Sequence, residues 1–184
     1  MTPVEFMPRI AVAFVLRHVP GTSDPFPGAH PWYVLIETSA GKADGTAERL
    51  LLATLEAGTA AGVIRDTALA RSLAQAQAFW RLRESFSAAQ KGEGGNIKND
   101  VAVPVAAIPA FVARADATMA RLCPGARPFS VGHFGDGNMH YNIARPPGMR
   151  RRSSWRAGTR SCTPSTTSFS RSVARFPPST ASGN

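Results

Sequence analysis

The chain has 184 residues, enough for one ordinary domain, and no apolar run long enough to cross a bilayer. Its formal charge of +9 suggests nucleic acid, but seven arginines and no acid lie between positions 150 and 184, so the excess belongs to the tail rather than to a folded face, and no nucleic-acid partner is expected. Two cysteines, Cys123 and Cys162, make neither a disulfide framework nor a zinc knuckle; with no cleavable signal before the first helix, a reducing cytoplasm is expected.

In chain order, Glu5 to His18 reads as a helix, with Pro8 tolerated near its start. The Pro- and Gly-rich stretch from Pro20 to Pro31 is a loop, and Trp32 to Glu37 a short strand of β-formers. Ala47 to Ala61 carries Leu50, Leu51, Leu52 and Leu55 on a helix that Gly62 ends, and Val63 to Ala70 follows as a strand. Leu73 to Gln90 is the strongest helix, with Leu73, Ala76, Phe79, Trp80 and Phe86 on its buried side. Ile97 to Val103 reads as a strand that puts Lys98 and Asp100 on one side, and Ile108 to Leu122 as an amphipathic helix stopped by Cys123-Pro124-Gly125. Helices alternating with strands and ending in a hairpin predict an α+β layer, a mostly antiparallel sheet covered by helices.

That hairpin, Phe129 to Ile143, carries the chemistry. Asp136-Gly137 between alternating residues is a hairpin signal. With the turn at Gly135 to Asn138, Phe134 faces Met139 and His133 faces His140, their Cβ atoms about 5 Å apart. Two imidazoles so placed can share a metal ion, although a catalytic zinc usually has three protein ligands; a plain polar cross-strand pair is the alternative. Asn142, two residues past His140, points to the same face. A second constellation is Arg83, Ser87 and Lys98: a planar cation, a hydroxyl one helical turn away, and a second cation from the next strand, suited to a small carboxylate. The alternative is a solvated helix face with Arg83 paired to a nearby Glu.

From Met149 the sequence turns to Arg, Ser, Thr and Pro without periodicity. Such a segment cannot bury enough apolar surface to offset its ordering entropy and is expected to be disordered. It reads as a natural basic tail or, the preferred reading, as the product of a shifted reading frame in a GC-rich gene.

Three segments, Trp80-Arg81-Leu82-Arg83-Glu84, then Ile97-Lys98-Asn99-Asp100-Val101-Ala102-Val103-Pro104, then Gly132 to Asn142, occur in an order and spacing that resemble the C-terminal domain of FAD-linked oxidases of the D-lactate dehydrogenase, glycolate oxidase and D-2-hydroxyglutarate dehydrogenase type. The resemblance runs from about Val4 to Pro147. It implies a ferredoxin-like α+β core that caps the isoalloxazine ring, with FAD bound mainly by a separate N-terminal domain, normally on the same polypeptide, that this sequence lacks. It implies that Arg83 grips a substrate carboxylate, that Ser87, Lys98 and Asn142 face the substrate, with Asn138 a weaker candidate, and that His133 and His140 bind a divalent metal, usually zinc. The family's pattern continues to a Ser-x-Glu-His-Gly-x-Gly segment that supplies a third metal ligand and a base, whereas no Glu or His follows His140 here. Asp136 is the first candidate to complete the metal set. The chain is thus expected to be an incomplete cap domain, residues 1–147, with a tail over 148–184. It would belong to an FAD-dependent enzyme oxidising a small 2-hydroxy acid and be inactive alone, with no catalytic residue of its own. The alternative is a non-catalytic α+β module that binds a small carboxylate or a metal.

Overall fold

A computed structural model of the chain describes residues 3–42 and 44–147; the expected tail and Cys162 lie outside them. Five strands, β1 (Val4–Pro8), β2 (Trp32–Ile36), β3 (Asn96–Ala102), β4 (Arg127–His133) and β5 (Asn138–Ala144), form one sheet in the order β2-β1-β4-β5-β3. Every pairing is antiparallel. The helices are α1 (Arg9–His18), α2 (Thr46–Ala60), α3 (Leu73–Glu84), α4 (Phe86–Gly92) and α5 (Ile108–Leu122). This is the α+β layering that the ferredoxin-like resemblance implies, an antiparallel sheet covered by helices.

The two faces of the sheet follow from strand alternation. On one face Phe6, Met139, Tyr141 and Ile143 pack against Ile108, Phe111, Val112, Ala115 and Met119 of α5. On the other, Met7, Tyr33, Phe129, Val131 and Ala144 pack against α1 and against Leu82, Phe86 and Ala89. Those helices cover one end of the second face and leave the other end open.

Four expectations are corrected. Residues 4–8 form a strand, not the first turns of a helix. The residue before a proline is pushed toward extended backbone, Pro8 itself is extended (ψ 155°), and the helix starts at Arg9. Val63 to Ala70 is irregular: the amides of Val63 and Ile64 cap α2 at the Gly58 carbonyl, Asp66 binds the amide of Thr67, and no strand runs beside the segment. The long helix from Leu73 is broken at Ser85, and its anchors are Leu82 and Phe86; Leu73 is 75% exposed because no core lies beneath the first turns of α3.

The fourth correction is the hairpin register. His133 lies opposite Asn138, Gly132 opposite Met139 and Val131 opposite His140, so the loop is Phe134 to Gly137. Asp136 accepts a hydrogen bond from the Asn138 amide inside this loop. Gly137 adopts φ +73°, and a Cβ there would meet the Val103 carbonyl at 2.0 Å, so only glycine fits. Phe134 turns away from Met139 and packs edge-on against Phe6, its amide held by the Val4 carbonyl.

Candidate functional site

The register stacks polar side chains in rows across the open end of the second face. Lys98 pairs with Asn142, Asp100 with His140, and Ala102 with Asn138. His133 pairs with Asn138 on one side and with Glu5 on the other. Because paired residues project from the same face, Glu5, His133, Asn138, His140, Asn142, Asp100 and Lys98 all do so. The expected face-to-face histidines are diagonal neighbours instead. The register error is two residues, which preserves the face, and the two imidazoles meet with ring centroids 6.4 Å apart at 75°.

Each imidazole has one nitrogen engaged by a carboxylate. His133 Nδ1 faces Glu5 Oε1, and His140 Nδ1 lies 2.6 Å from Asp100 Oδ1. A neutral ring facing a carboxylate carries its proton on that nitrogen, which leaves the Nε2 lone pair for another partner. The two anchors differ in setting: Glu5 is 3% exposed, whereas the side chain of Asp100 is 74% exposed.

Arg83 reaches the same carboxylate from α3. Its Nε lies 2.9 Å and its Nη2 2.8 Å from Glu5 Oε2, and its guanidinium carbon lies 6.0 Å from the centre of the Phe86 ring. Arg83 is therefore paired with a glutamate, as the alternative reading of the helix face had it. The glutamate comes from a distant strand, however, and the pair stands at the site. The edge turned to Glu5 is the Nε–Nη2 edge, and the guanidinium fork offers a second edge through Nη1.

Lys98 is exposed on β3, directly across from Asn142. Asn142 is 3% exposed, and its Oδ1 has no hydrogen-bond partner. A buried acceptor without a protein partner is costly, and such an atom is ordinarily met by a water, an ion or a ligand group. Asn138 is exposed at the mouth of the hairpin. Ser87 is exposed on the first turn of α4, beyond the break at Ser85, and the hydrogen bonds that join Arg83, Glu5 and His133 do not include it.

The expected metal set is not assembled. Among the described residues no three His, Cys, Asp or Glu side chains are grouped to hold a metal ion. Glu5 and Asp100 are spent on the Nδ1 atoms, and Asp136 is exposed and caps its own turn. His133 and His140 supply two nitrogens, short of the usual three ligands. Sequence reasoning missed Glu5 and Asp100 as partners of the histidines. Pro8, which forces its predecessor toward extended backbone, was the signal that could have placed Glu5 on a strand.

One face of this antiparallel sheet thus gathers the Glu5–Arg83 pair, two carboxylate-anchored imidazoles, an exposed lysine and an unmatched amide oxygen. The chain belongs to the family of FAD-linked oxidases, C-terminal domain, whose profile matches residues 1–157. It is 37% identical to a D-2-hydroxyglutarate dehydrogenase of Xanthomonas citri pv. viticola over 142 residues, 77% of this chain and 29% of that protein. It is 36% identical to a D-2-hydroxyglutarate dehydrogenase of Stutzerimonas stutzeri over 151 residues, 81% of this chain and 31% of that protein. The mitochondrial D-2-hydroxyglutarate dehydrogenase of Arabidopsis thaliana is 33% identical over 147 residues, 78% of this chain and 25% of that protein. The chain thus spans less than a third of the length of these relatives. No helix among the described residues is long and apolar enough to cross a membrane.

Proposed function

We propose that this chain is the substrate-binding cap of an FAD-dependent oxidoreductase that oxidises a small 2-hydroxy acid by hydride transfer from C2 to the flavin. D-2-hydroxyglutarate is the first candidate and D-lactate and glycolate are the others. The observation that carries the reading is the placement of His133, His140, Lys98 and Asn142 on one sheet face, with Arg83 of α3 joined to it through Glu5.

In this reading the Nη1 side of Arg83 takes the carboxylate next to the hydroxyl carbon, as a planar fork does best. Lys98, a flexible point charge at the rim, takes a second carboxylate when the substrate has one. The 2-hydroxyl, the single donor of the ionised acid, gives its proton to one of three acceptors on this face: Asn142 Oδ1 or the Nε2 atom of His133 or of His140. Together these contacts orient the C2–H bond. When bound, the flavin supplies the hydride acceptor, and that chemistry belongs to the cofactor. FAD is held mainly by a separate domain, as the family resemblance implies. Ser87 and Asn138 are assigned to the substrate side by the family resemblance alone. Zinc at His133 and His140 would need a third donor from outside the described residues. The compartment we favour is the reducing cytoplasm.

Calorimetric titration of the purified chain with D-2-hydroxyglutarate, D-lactate and glycolate, followed by dye reduction with added FAD, tests this reading. The expected result is binding of D-2-hydroxyglutarate without turnover. Robust turnover by the chain alone contradicts the cap role, and failure to bind any of the three acids contradicts the pocket.

A further inference from the structure

We propose that Glu5 is a positioning residue that sets the substrate-facing edges of both Arg83 and His133. The proposal rests on the assignment of those two side chains to the substrate pocket.

Glu5 is the one buried carboxylate that faces the site from β1. Its two oxygens are divided: Oε2 takes the Nε and Nη2 of Arg83, and Oε1 takes Nδ1 of His133. Both consequences are directional. A guanidinium held along its Nε–Nη2 edge turns its Nη1 side outward, and the Phe86 ring beside it restricts rotation of the plane. An imidazole whose Nδ1 donates to a carboxylate is fixed as one tautomer, with the Nε2 lone pair pointing away from the anchor. Arg83 supplies the opposite charge that a buried carboxylate needs, so a single side chain on β1 aligns a residue of α3 with a residue of β4. His140 has a separate anchor in Asp100, which is exposed, so solvent competes for it.

A glutamine at position 5 keeps the size but offers one acceptor oxygen and one donor amide. Its oxygen can accept from Arg83 while its amide donates to His133 Nδ1 only if His133 moves its proton to Nε2, so the Arg83 bond and the Nδ1–H tautomer cannot both survive. An aspartate keeps the charge but is one methylene shorter and cannot span the two.

The test uses the full chain, first without ligand. Long-range 1H–15N correlation spectra at pH 8 read the tautomer of each histidine, and exchange of the Arg83 Nε–H reads its hydrogen bond. In the wild type, His133 is expected as the Nδ1–H tautomer and the Arg83 Nε–H as a slowly exchanging proton. In E5Q at least one of the two signatures is expected to be lost while those of His140 stay. Affinity for D-2-hydroxyglutarate is expected to fall at least tenfold, and E5D is expected to restore one signature and part of the affinity. Wild-type His133 in the Nε2–H form overturns the proposal without any variant, which covers the case in which E5Q does not fold. Unchanged signatures in E5Q overturn it as well. So does loss of a signature with unchanged affinity, because Glu5 then serves the fold alone. A wild-type chain that binds no 2-hydroxy acid sinks the proposed function instead, and the ligand-free spectra then decide for or against Glu5.

Discussion

Lys98 stands directly opposite Asn142 on β3 and β5, pairing an exposed ammonium with a buried carbonyl oxygen that has no partner. Neither group serves the fold in an obvious way. Lys98 meets solvent, and the amide of Asn142 lacks the hydrogen bond that would offset its burial. Asn142→Leu, an apolar replacement of similar size, is therefore expected to change stability by less than about 1 kcal/mol while weakening D-2-hydroxyglutarate binding roughly tenfold. Lys98→Met is expected to leave stability alone and to weaken a dicarboxylate more than D-lactate. Urea unfolding and calorimetry on the same samples check both.

Arg83 behaves differently, because it serves the fold and the pocket together. Arg83→Ala leaves the Glu5 carboxylate buried without its cation and is expected to cost about 3–5 kcal/mol. Arg83→Lys keeps the charge but loses the two-pronged geometry, so a smaller loss of about 1–2 kcal/mol is expected. Its affinity for any 2-hydroxy acid is expected to fall about tenfold. Stability equal to wild type in both variants would show that the Glu5–Arg83 pair is not formed in solution.

Away from the pocket, Glu93 ties three elements together. Its Oε1 takes Arg17 and, at 2.8 Å, His18 Nε2; its Oε2 takes Arg127 Nη1 at 2.8 Å. Burial pushes the Glu93 carboxyl up, but the hydrogen bonds from His18, Arg127 and Arg17 outweigh it and hold the group below the usual glutamate range. A carboxyl depressed in the folded state stabilises above its unfolded value of about 4.3, and that contribution is lost as pH falls through the folded value. Glu93→Gln is expected to destabilise the chain by about 1–3 kcal/mol at pH 7. The difference from wild type should shrink as pH drops below about 4. Paired urea titrations at pH 7 and pH 3.5 test this; a constant gap contradicts it.

Tyr141 gives the opposite pH signature. Its hydroxyl donates to Asp116 Oδ1 at 2.8 Å beneath α5. Burial, then the charge of Asp116, raises the phenol pKa far above its ordinary value. A raised group stabilises below its unfolded pKa, about 10 for tyrosine, and loses that contribution as pH climbs past it. Tyr141→Phe is expected to cost about 1 kcal/mol at pH 7 and to flatten the alkaline fall in stability above about pH 10. Melting temperatures from pH 7 to pH 11 provide the check.

What could be read from the sequence followed strand parity. The hairpin signal puts the register two residues out, yet a shift of two keeps every side chain on its face, so His133, His140 and Asn142 still share one face. Lys98 and Asp100 were placed on one side of β3 by the same alternation. The apolar stripe of α5 is buried as its spacing predicts, apart from Leu122 near its end. The misses share a cause, in that local pattern does not name a distant partner. The leucines of α2 have helical spacing, but no residue of that helix is buried. The strong apolar run from Ile10 to Val15 extends the helix pattern back to Glu5. Its strand identity depends on β2 and β4, which lie far along the chain.

That pairing of β1 with β4 also sets when the pocket can form. Glu5 and His133 are 128 positions apart, and the strand holding Glu5 can meet β4 only after nearly all the described chain has been made. Closing so long a loop precedes any reward from the contact, which places this domain among the slower, high-contact-order folders. During synthesis β1 can pair with β2 early but must wait for β4 on its other edge, so a nascent chain stalled before residue 127 carries the acid of the pocket but neither His133 nor His140.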